Sequence, residues 1–350
     1  MTDLRDRFAA FRAESPKTRI RTAARELGVS EAELVATGVD GEAVRLAEPE
    51  GGWRTMVLEL EALGEVMALT RNDACVHEKH GVYDQASIDL PHGMALVLDD
   101  PIDLRLFCAR WRSAFAVATP LGGGQRRSLQ FFDASGDAVH KVFLTDASDG
   151  AAYDAFVAAH RDGAPAALAV EPRPEPSPET PDAEIDAEGF LAAWAELQDT
   201  HDFFPLLGRF GVSRTQALRL AEGRFTERAE TVAVRRAIEA AAGDGTPIMV
   251  FVGNPGAIQI HSGPVERLMD RGPWFNVLDP GFNLHLDETQ IADAWVVVKP
   301  SEDGDVTAVE AYDAAGRQIV QLFGKRKPGL PELQAWRDIV AGLPRAGVAA

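Results

Sequence analysis

Cysteine is nearly absent from this chain. In 350 residues only Cys75 and Cys108 occur, at no spacing that a metal site uses. One disulfide could join them, but two buried free thiols in a reducing compartment are the expectation. Long apolar runs are missing too: nothing approaches the roughly 18 residues that a membrane-spanning helix needs. Met1-Thr2-Asp3-Leu4-Arg5-Asp6-Arg7 carries charges where a signal peptide would build its apolar core, so the expected location is the cytoplasm. Basic residues are outnumbered, 35 Lys and Arg against 54 Asp and Glu, leaving a formal charge of −19. Such a surface repels nucleic acid and anionic membrane. It would repel a small anion as well, unless cations were gathered locally. Paired catalytic carboxylates, a serine triad, a phosphate-binding loop and a dinucleotide fingerprint are all lacking.

What the chain does contain is itself, twice. Val66-Met67-Ala68-Leu69-Thr70-Arg71-Asn72 returns in altered form as Ile248-Met249-Val250-Phe251-Val252-Gly253-Asn254. Leu98-Asp99 and Leu104 return as Leu278-Asp279 and Leu284, and Phe132-Asp133-Ala134-Ser135-Gly136 as Tyr312-Asp313-Ala314-Ala315-Gly316. An offset held at about 180 residues through all three matches implies a tandem duplication. The proline- and acid-rich run Glu171-Pro172-Arg173-Pro174-Glu175-Pro176-Ser177-Pro178-Glu179 can form neither helix nor central strand and reads as an extended, solvated linker. The expected organisation is a first repeat over 1–162, a linker over 163–188 and a second repeat over 189–345.

Each repeat opens with helices. Ala23–Leu27 ends at Gly28 and is followed by the capping box Ser30-Glu31-Ala32-Glu33. Phe203–Phe210 ends at Gly211 and is followed by Ser213-Arg214-Thr215-Gln216. Strands are expected at Met56–Leu60, Val66–Thr70, Met94–Leu98 and Phe115–Ala118, and at Ile248–Val252, Phe275–Leu278 and Trp295–Val298. Hairpin turns are expected at Asp133–Gly136 and Asp313–Gly316. Helices first and strands after indicate an α+β class with antiparallel sheets.

The duplication acts as an internal control, because what only one copy carries is a candidate for function. His201 faces Thr18, Arg214 faces Glu31, Lys299 faces Thr119 and Arg105 faces His285. The basic run Phe323-Gly324-Lys325-Arg326-Lys327-Pro328 has no counterpart after Phe143-Leu144. His201 lies at the start of a helix that Asp199 or Thr200 can cap, with Pro205 tolerable in its first turn. Taken alone it reads as a surface histidine or cap, and Arg214 as an exposed helix charge. Cys75, His77 and His80 are read as scattered by a strand and turn, the histidines in solvent rather than on a metal. His261 and His285 are read as half-buried or hydrogen-bonded scaffold. His92, His140 and His160 show no constellation, and Phe251 reads as core.

Four second-repeat segments carry a family resemblance: Thr200-His201-Asp202-Phe203-Phe204-Pro205-Leu206-Leu207, Ile260-His261-Ser262-Gly263-Pro264-Val265-Glu266, Gly272-Pro273-Trp274-Phe275-Asn276-Val277-Leu278-Asp279, and Phe323-Gly324-Lys325-Arg326-Lys327-Pro328-Gly329. With Leu69-Thr70-Arg71-Asn72 and Ile102-Asp103-Leu104-Arg105-Leu106-Phe107 of the first repeat, they resemble the HemS family of bacterial cytoplasmic haem-handling proteins. The resemblance implies two similar domains, each a curved antiparallel sheet with helices, and one haem b held between the halves. It implies His201 as axial ligand of the iron, Arg105 and Phe107 on the distal side, and Arg214, Lys299 and Arg326 at the propionates, with Gln321 nearby. The chemistry is consistent. Haem iron accepts a neutral imidazole, and propionates need fixed cations, for which arginine is suited. Phe107 and Phe251 are candidate apolar walls.

The leading expectation is therefore a cytoplasmic haem carrier serving iron acquisition, taking haem from an importer and passing it to a haem oxygenase or another acceptor. The alternative is a haemin-degrading enzyme that opens the porphyrin and releases iron. A third class, a DNA-binding regulator, is suggested by the helix-turn-helix-like Thr22–Ser30. Its following helix begins Glu31-Ala32-Glu33-Leu34, acidic where a recognition helix is basic.

Overall fold

The computed structural model describes residues 3–89, 93–98, 100–176, 178–326 and 329–347, and the chain divides into two compact units. These are not simply the sequence halves. The first comprises Met1–Arg71, His77–Pro174 and Gly253–Gln259; the second comprises Asn72–Val76, Glu175–Val252 and Ile260–Ala350. Each repeat thus lends a short segment to the unit built mainly by the other.

In the first unit, helices α1 (Leu4–Glu14), α2 (Ile20–Leu27) and α3 (Glu31–Ala36) come first. Gly28 ends α2 at φ 68°, a left-handed conformation that glycine adopts without strain. Ser30 and Glu33 then cap α3 reciprocally. The strands are β1 (Glu42–Leu46), β2 (Gly64–Arg71), β3 (Cys75–Gly81), β4 (Ser87–Asp89), β5 (Met94–Leu98), β6 (Asp103–Leu106), β7 (Trp111–Leu121), β8 (Gly124–Asp133) and β9 (Ala138–Ser148). An antiparallel array runs β1-β7-β8-β9-β2, and β4-β5-β6 form a meander. The expected strand at Met56–Leu60 is instead the end of helix α4 (Trp53–Leu58) and the start of a 3-10 turn over Leu60–Leu63. Trp53, Met56, Val57, Leu60 and Leu63 are all buried. That is helical spacing, and the apolar run is too short for its composition alone to distinguish a strand from a buried helix.

The second unit repeats the plan. Helices α5 (Gly150–His160) of the first unit and α6 (Ala187–Ala195) of the second flank the linker; α7 (Phe203–Phe210) and α8 (Arg214–Leu220) follow, with Gly211 left-handed at φ 65° and Ser213 and Gln216 forming the second capping box. After β10 (Thr226–Ala229) and α9 (Ala233–Asp244) come β11 (Ile248–Asn254), β12 (Ala257–Gly263), β13 (Leu268–Arg271), β14 (Trp274–Asp279), β15 (Phe282–Asp287), β16 (Asp293–Lys299), β17 (Val306–Tyr312) and β18 (Gln318–Gly324), and the chain closes on α10 (Gln334–Ala341). The order β10-β16-β17-β18-β11 mirrors that of the first unit, as does the meander β13-β14-β15. Both expected hairpin turns join their strands. The class is α+β.

The lent segments are tightly seated. In the first unit Gly256 O accepts from Phe107 N and from Trp111 Nε1, both at 3.0 Å. A Cβ on Gly256 would stand 2.8 Å from Val139, so only glycine permits this approach. Below it lies a buried polar group that the sequence reading missed. The His140 ring, stacked near Trp111, meets Tyr83 Oη at 2.5 Å through Nε2 and Thr70 Oγ1 at 2.9 Å through Nδ1. A neutral imidazole needs one donor and one acceptor, and the two hydroxyls can supply them. Burial pushes the His140 pKa down to about 3.

Other histidine expectations divide. His77 is fully buried rather than solvent-facing, because Cys75–Gly81 is one continuous strand with most of its residues covered. His80 is half-buried. His261 is buried, stacks on Phe282 and contacts Pro264 O, and His285 contacts Asn276 Oδ1 at 2.6 Å. His160 pairs with Glu59 at 2.8 Å. His92 lies outside the described residues. Cys75 and Cys108 are buried and not joined in a disulfide, and among the described residues no cluster of metal-ligating side chains occurs. Likewise no helix of the described residues is long and apolar enough to cross a membrane. The proline- and acid-rich residues 171–176 carry neither helix nor strand and are exposed, and the segment is anchored: Arg173 pairs with Asp137 in the first unit, and Glu179 pairs with Arg219 in the second.

Candidate functional site

Five of the seven candidate residues lie in the second unit, and the local fold gathers them. Asp199, Thr200, His201 and Asp202 make a 3-10 turn leading into α7. Asp199 caps the turn, accepting from His201 N at 2.8 Å, and the same Oδ1 lies 2.7 Å from His201 Nδ1. An ionised carboxylate can only accept, so this contact places the ring proton on Nδ1. The neutral ring then keeps its lone pair on Nε2. The His201 side chain is 87% exposed, and Phe204 beside it is 77% exposed. An unburied imidazole with a directed lone pair can act as a metal ligand.

The next side chain, Phe203, turns inward and is buried. Lys299 Nζ lies 4.6 Å and the Arg214 guanidinium carbon 5.5 Å from its ring centroid. Both cations also meet Glu310, which is 0% exposed. Arg214 donates through Nε at 3.1 Å and Nη2 at 2.8 Å; Lys299 Nζ lies at 3.3 Å and Gln321 Nε2 donates at 2.9 Å. Tyr312 donates to the same carboxylate, and Gln318 Nε2 lies 3.3 Å from it. Strand register explains the gathering. Glu310 pairs with Trp295 on one side and Gln321 on the other, so Lys299, four residues beyond Trp295 along β16, shares their face. Arg214 reaches that face from the first turn of α8.

The electrostatics are those of a compact buried cluster. Burial alone would raise the Glu310 pKa, but Arg214 and Lys299 outweigh it and hold the carboxyl far below its usual range. Burial, with Arg214 adding to it, lowers Lys299 to about 8 against the pull of Glu310. Arg214 stays charged: burial works against it, and Glu310 and Tyr312 raise its pKa further. Two cations against one carboxylate leave a single net positive charge, on a protein that is otherwise strongly acidic.

Arg326, the fifth of these residues, acts on the capping residue of the His201 turn. It pairs with Asp303 at 3.2 Å, and its charge helps hold down the Asp199 pKa, after the hydrogen bonds from His201. Lys327 and Pro328 lie outside the described residues. Arg105 and Phe107 belong to the first unit. Arg105, on β6, is 29% exposed and pairs with Asp103, while half-buried Phe107 is tied at its backbone to Gly256. Phe251 is half-exposed and meets Phe323 edge-on rather than sitting in the core.

Glu31, at the place of Arg214, pairs with Lys141, at the place of Gln321. Gln130 stands where Glu310 does. The helix charge is reversed between the repeats, and the opposite charge that answers it sits on a different strand: Glu310 on β17 in the second repeat, Lys141 on β9 in the first. Reading single positions found Arg214 but missed Glu310, although one carboxylate inside the apolar strand Val306–Tyr312 was a visible signal. The second helix of the helix-turn-helix-like pair is closed to DNA: Glu31, Ala32, Leu34 and Val35 are all buried.

Comparison with known proteins agrees with this picture. The haemin-degrading HemS.ChuX domain matches twice, over residues 28–160 and 211–343, so the duplication is shown. The chain is 37% identical to hemin transport protein HemS of Yersinia enterocolitica, over 99% of this chain and 98% of that protein. Among solved structures, holo-PhuS, a heme-binding protein from Pseudomonas aeruginosa, is 48% identical with a TM-score of 0.93, covering 98% of this chain and 99% of that one. ChuS, described as an E. coli heme oxygenase, is 35% identical with a TM-score of 0.85, covering 96% and 99%.

Proposed function

The chain belongs to the haemin-degrading HemS.ChuX domain family, and on that premise we propose that it binds haem b as cargo and passes it on for iron acquisition. The observation that carries the reading is in the second unit: an exposed His201 whose Nδ1 is held by Asp199, two residues before Phe203, whose ring Arg214 and Lys299 flank, with Gln321 on their shared Glu310 and Arg326 acting on Asp199. The group fits these residues. His201 supplies a neutral nitrogen for the iron, and the cations answer the propionates that a charge of −19 would otherwise repel. Arg105 and Phe107 retain the distal roles that the resemblance implies. When bound, haem supplies iron able to take oxygen or peroxide. The protein's own residues ligate the iron, orient the imidazole and fix the charged edge. A single strong protein ligand favours release to an acceptor over permanent retention.

The test is a haemin titration followed in the Soret band. Wild-type protein gives a saturable shift and His201→Ala loses or reroutes it; identical spectra and affinities would sink the assignment. A second reading, oxidative opening of the porphyrin, is favoured by the description of ChuS as a heme oxygenase. Anaerobic loading, then reductant and oxygen with catalase present, separates the two. A defined tetrapyrrole with iron release supports the enzyme. Stable haem, or loss only when catalase is omitted, supports the carrier.

A further inference from the structure

The His201 turn carries a second group whose chemistry reaches the iron without touching it. Asp199 Oδ1 accepts from both the backbone N and the ring Nδ1 of His201, at 2.8 and 2.7 Å. The first contact is an ordinary cap. The second is not required by the cap, and it points the charge of the carboxylate at the ring nitrogen opposite Nε2. A carboxylate accepting from Nδ1 fixes the tautomer and makes the far nitrogen a stronger donor to a metal. The pair also diverged as a unit: with Gly28 set against Gly211, Asp199 and His201 stand where the first repeat has Pro16 and Thr18, neither a carboxylate nor an imidazole.

We propose that Asp199 is a positioning residue that strengthens His201 as an iron ligand and so holds bound haem in the ferric state. The inference rests on the haem-binding reading above. A donor with more negative charge stabilises Fe(III) over Fe(II), and ferric iron does not take up dioxygen, so cargo carried in this form is protected until it is reduced or transferred.

The test is spectroelectrochemical, on full-length protein loaded with haemin, comparing wild type with Asp199→Asn and Asp199→Ala. Asn keeps an acceptor for the His201 backbone and removes the charge. The expected result is a Fe(III)/Fe(II) equilibrium displaced toward Fe(II) by about tenfold in Asp199→Asn, a midpoint rise of ~59 mV for one electron, and by more in Asp199→Ala. The iron–histidine stretch of the ferrous form should fall in frequency in the same order. If Asp199→Asn has the wild-type potential and stretch, Asp199 is only a cap and the proposal is overturned, even where Asp199→Ala binds poorly. Haemin titration of His201→Ala in the same series keeps the two readings apart. If that variant matches wild type, the axial assignment has failed. If it loses the Soret shift while Asp199→Asn keeps the wild-type potential, only the inference has failed.

Discussion

Asn72 and Asn254 occupy matching places in the two repeats, and each is lodged in the unit built mainly by the other. In the second unit Asn72 Nδ2 donates to Ile319 O at 2.8 Å; in the first, Asn254 Nδ2 donates to Val139 O at 2.8 Å. Val139 and Ile319 are themselves counterparts. Each asparagine also folds its own turn: Asn72 Oδ1 accepts from Ala74 N and Cys75 N, and Asn254 Oδ1 from Gly256 N. Asn254→Ala strands the carbonyls of Arg71 and Val139 together with Gly256 N. Leaving such buried groups unpaired costs about 1–3 kcal/mol. Urea unfolding should record a loss in that range for Asn254→Ala. A change below 0.5 kcal/mol, roughly what an ordinary surface substitution gives, would show that the seat does not depend on this side chain.

The Glu310 cluster makes a sharper demand. Removing one member of a buried ion pair leaves its partner charged and unpaired, typically at about 3–5 kcal/mol. Here Glu310→Gln leaves two cations behind, Arg214 and Lys299, so the upper part of that range is expected. The double variant Arg214→Met/Glu310→Gln removes one of them and should recover part of the loss, a non-additivity that a double-mutant cycle measures directly. Additive effects would mean that the two side chains do not depend on each other.

How much of this was legible beforehand differs between levels of structure. Glycine termini and capping boxes are local, since Gly28, Ser30, Gly211 and Ser213 act on their own helices, and all four were readable. The candidate site was half readable. His201, Arg214 and Lys299 differ from their counterparts one position at a time, which a comparison of repeats detects. Glu310 became interpretable only once β16, β17 and β18 were aligned and it was seen to face three donors. Helix α4 was misread because five apolar residues at helical spacing also resemble a short strand. The lent segments had no local signature at all. Gly256 looks like any turn glycine until Val139 and Trp111 are found against it.

His140 sets an acid limit on the first unit. Its folded pKa is depressed to about 3 from an unfolded value of 6.5. Between those values the unfolded chain binds a proton that the folded chain refuses, so stability falls as pH falls. The slope is about 1.4 kcal/mol per pH unit. From pH 6.5, where the unfolded imidazole is half protonated, to pH 5, above the main titration range of ordinary carboxylates, unfolding free energy should drop by about 1.6 kcal/mol. His140→Gln should remove most of this dependence, whatever its effect at pH 7. An equal slope in the variant would place the acid sensitivity elsewhere.

Lys299 works at the opposite end of the pH scale and bears on binding. With its folded pKa lowered to about 8 by burial, it loses its charge as pH rises through that value, whereas an unfolded lysine keeps it to about 10.5. Folding therefore gains from the rise between 8 and 10.5, since the unfolded state then holds the extra proton. A propionate at this cluster loses by the same change, because deprotonation takes away one of the two cations beside Glu310. Haemin affinity is accordingly expected to be flat from pH 6.5 to 7.5 and to weaken above 8, approaching tenfold per pH unit at the limit of one coupled proton. Bound anion favours protonated Lys299, so the decline should begin later at saturating haemin than at trace haemin. Lys299→Met should bind more weakly at pH 7 and show no such decline, with haemin aggregation controlled by a parallel titration of apomyoglobin. If the variant and the wild type weaken alike above pH 8, another group controls the step and Lys299 does not meet the propionate.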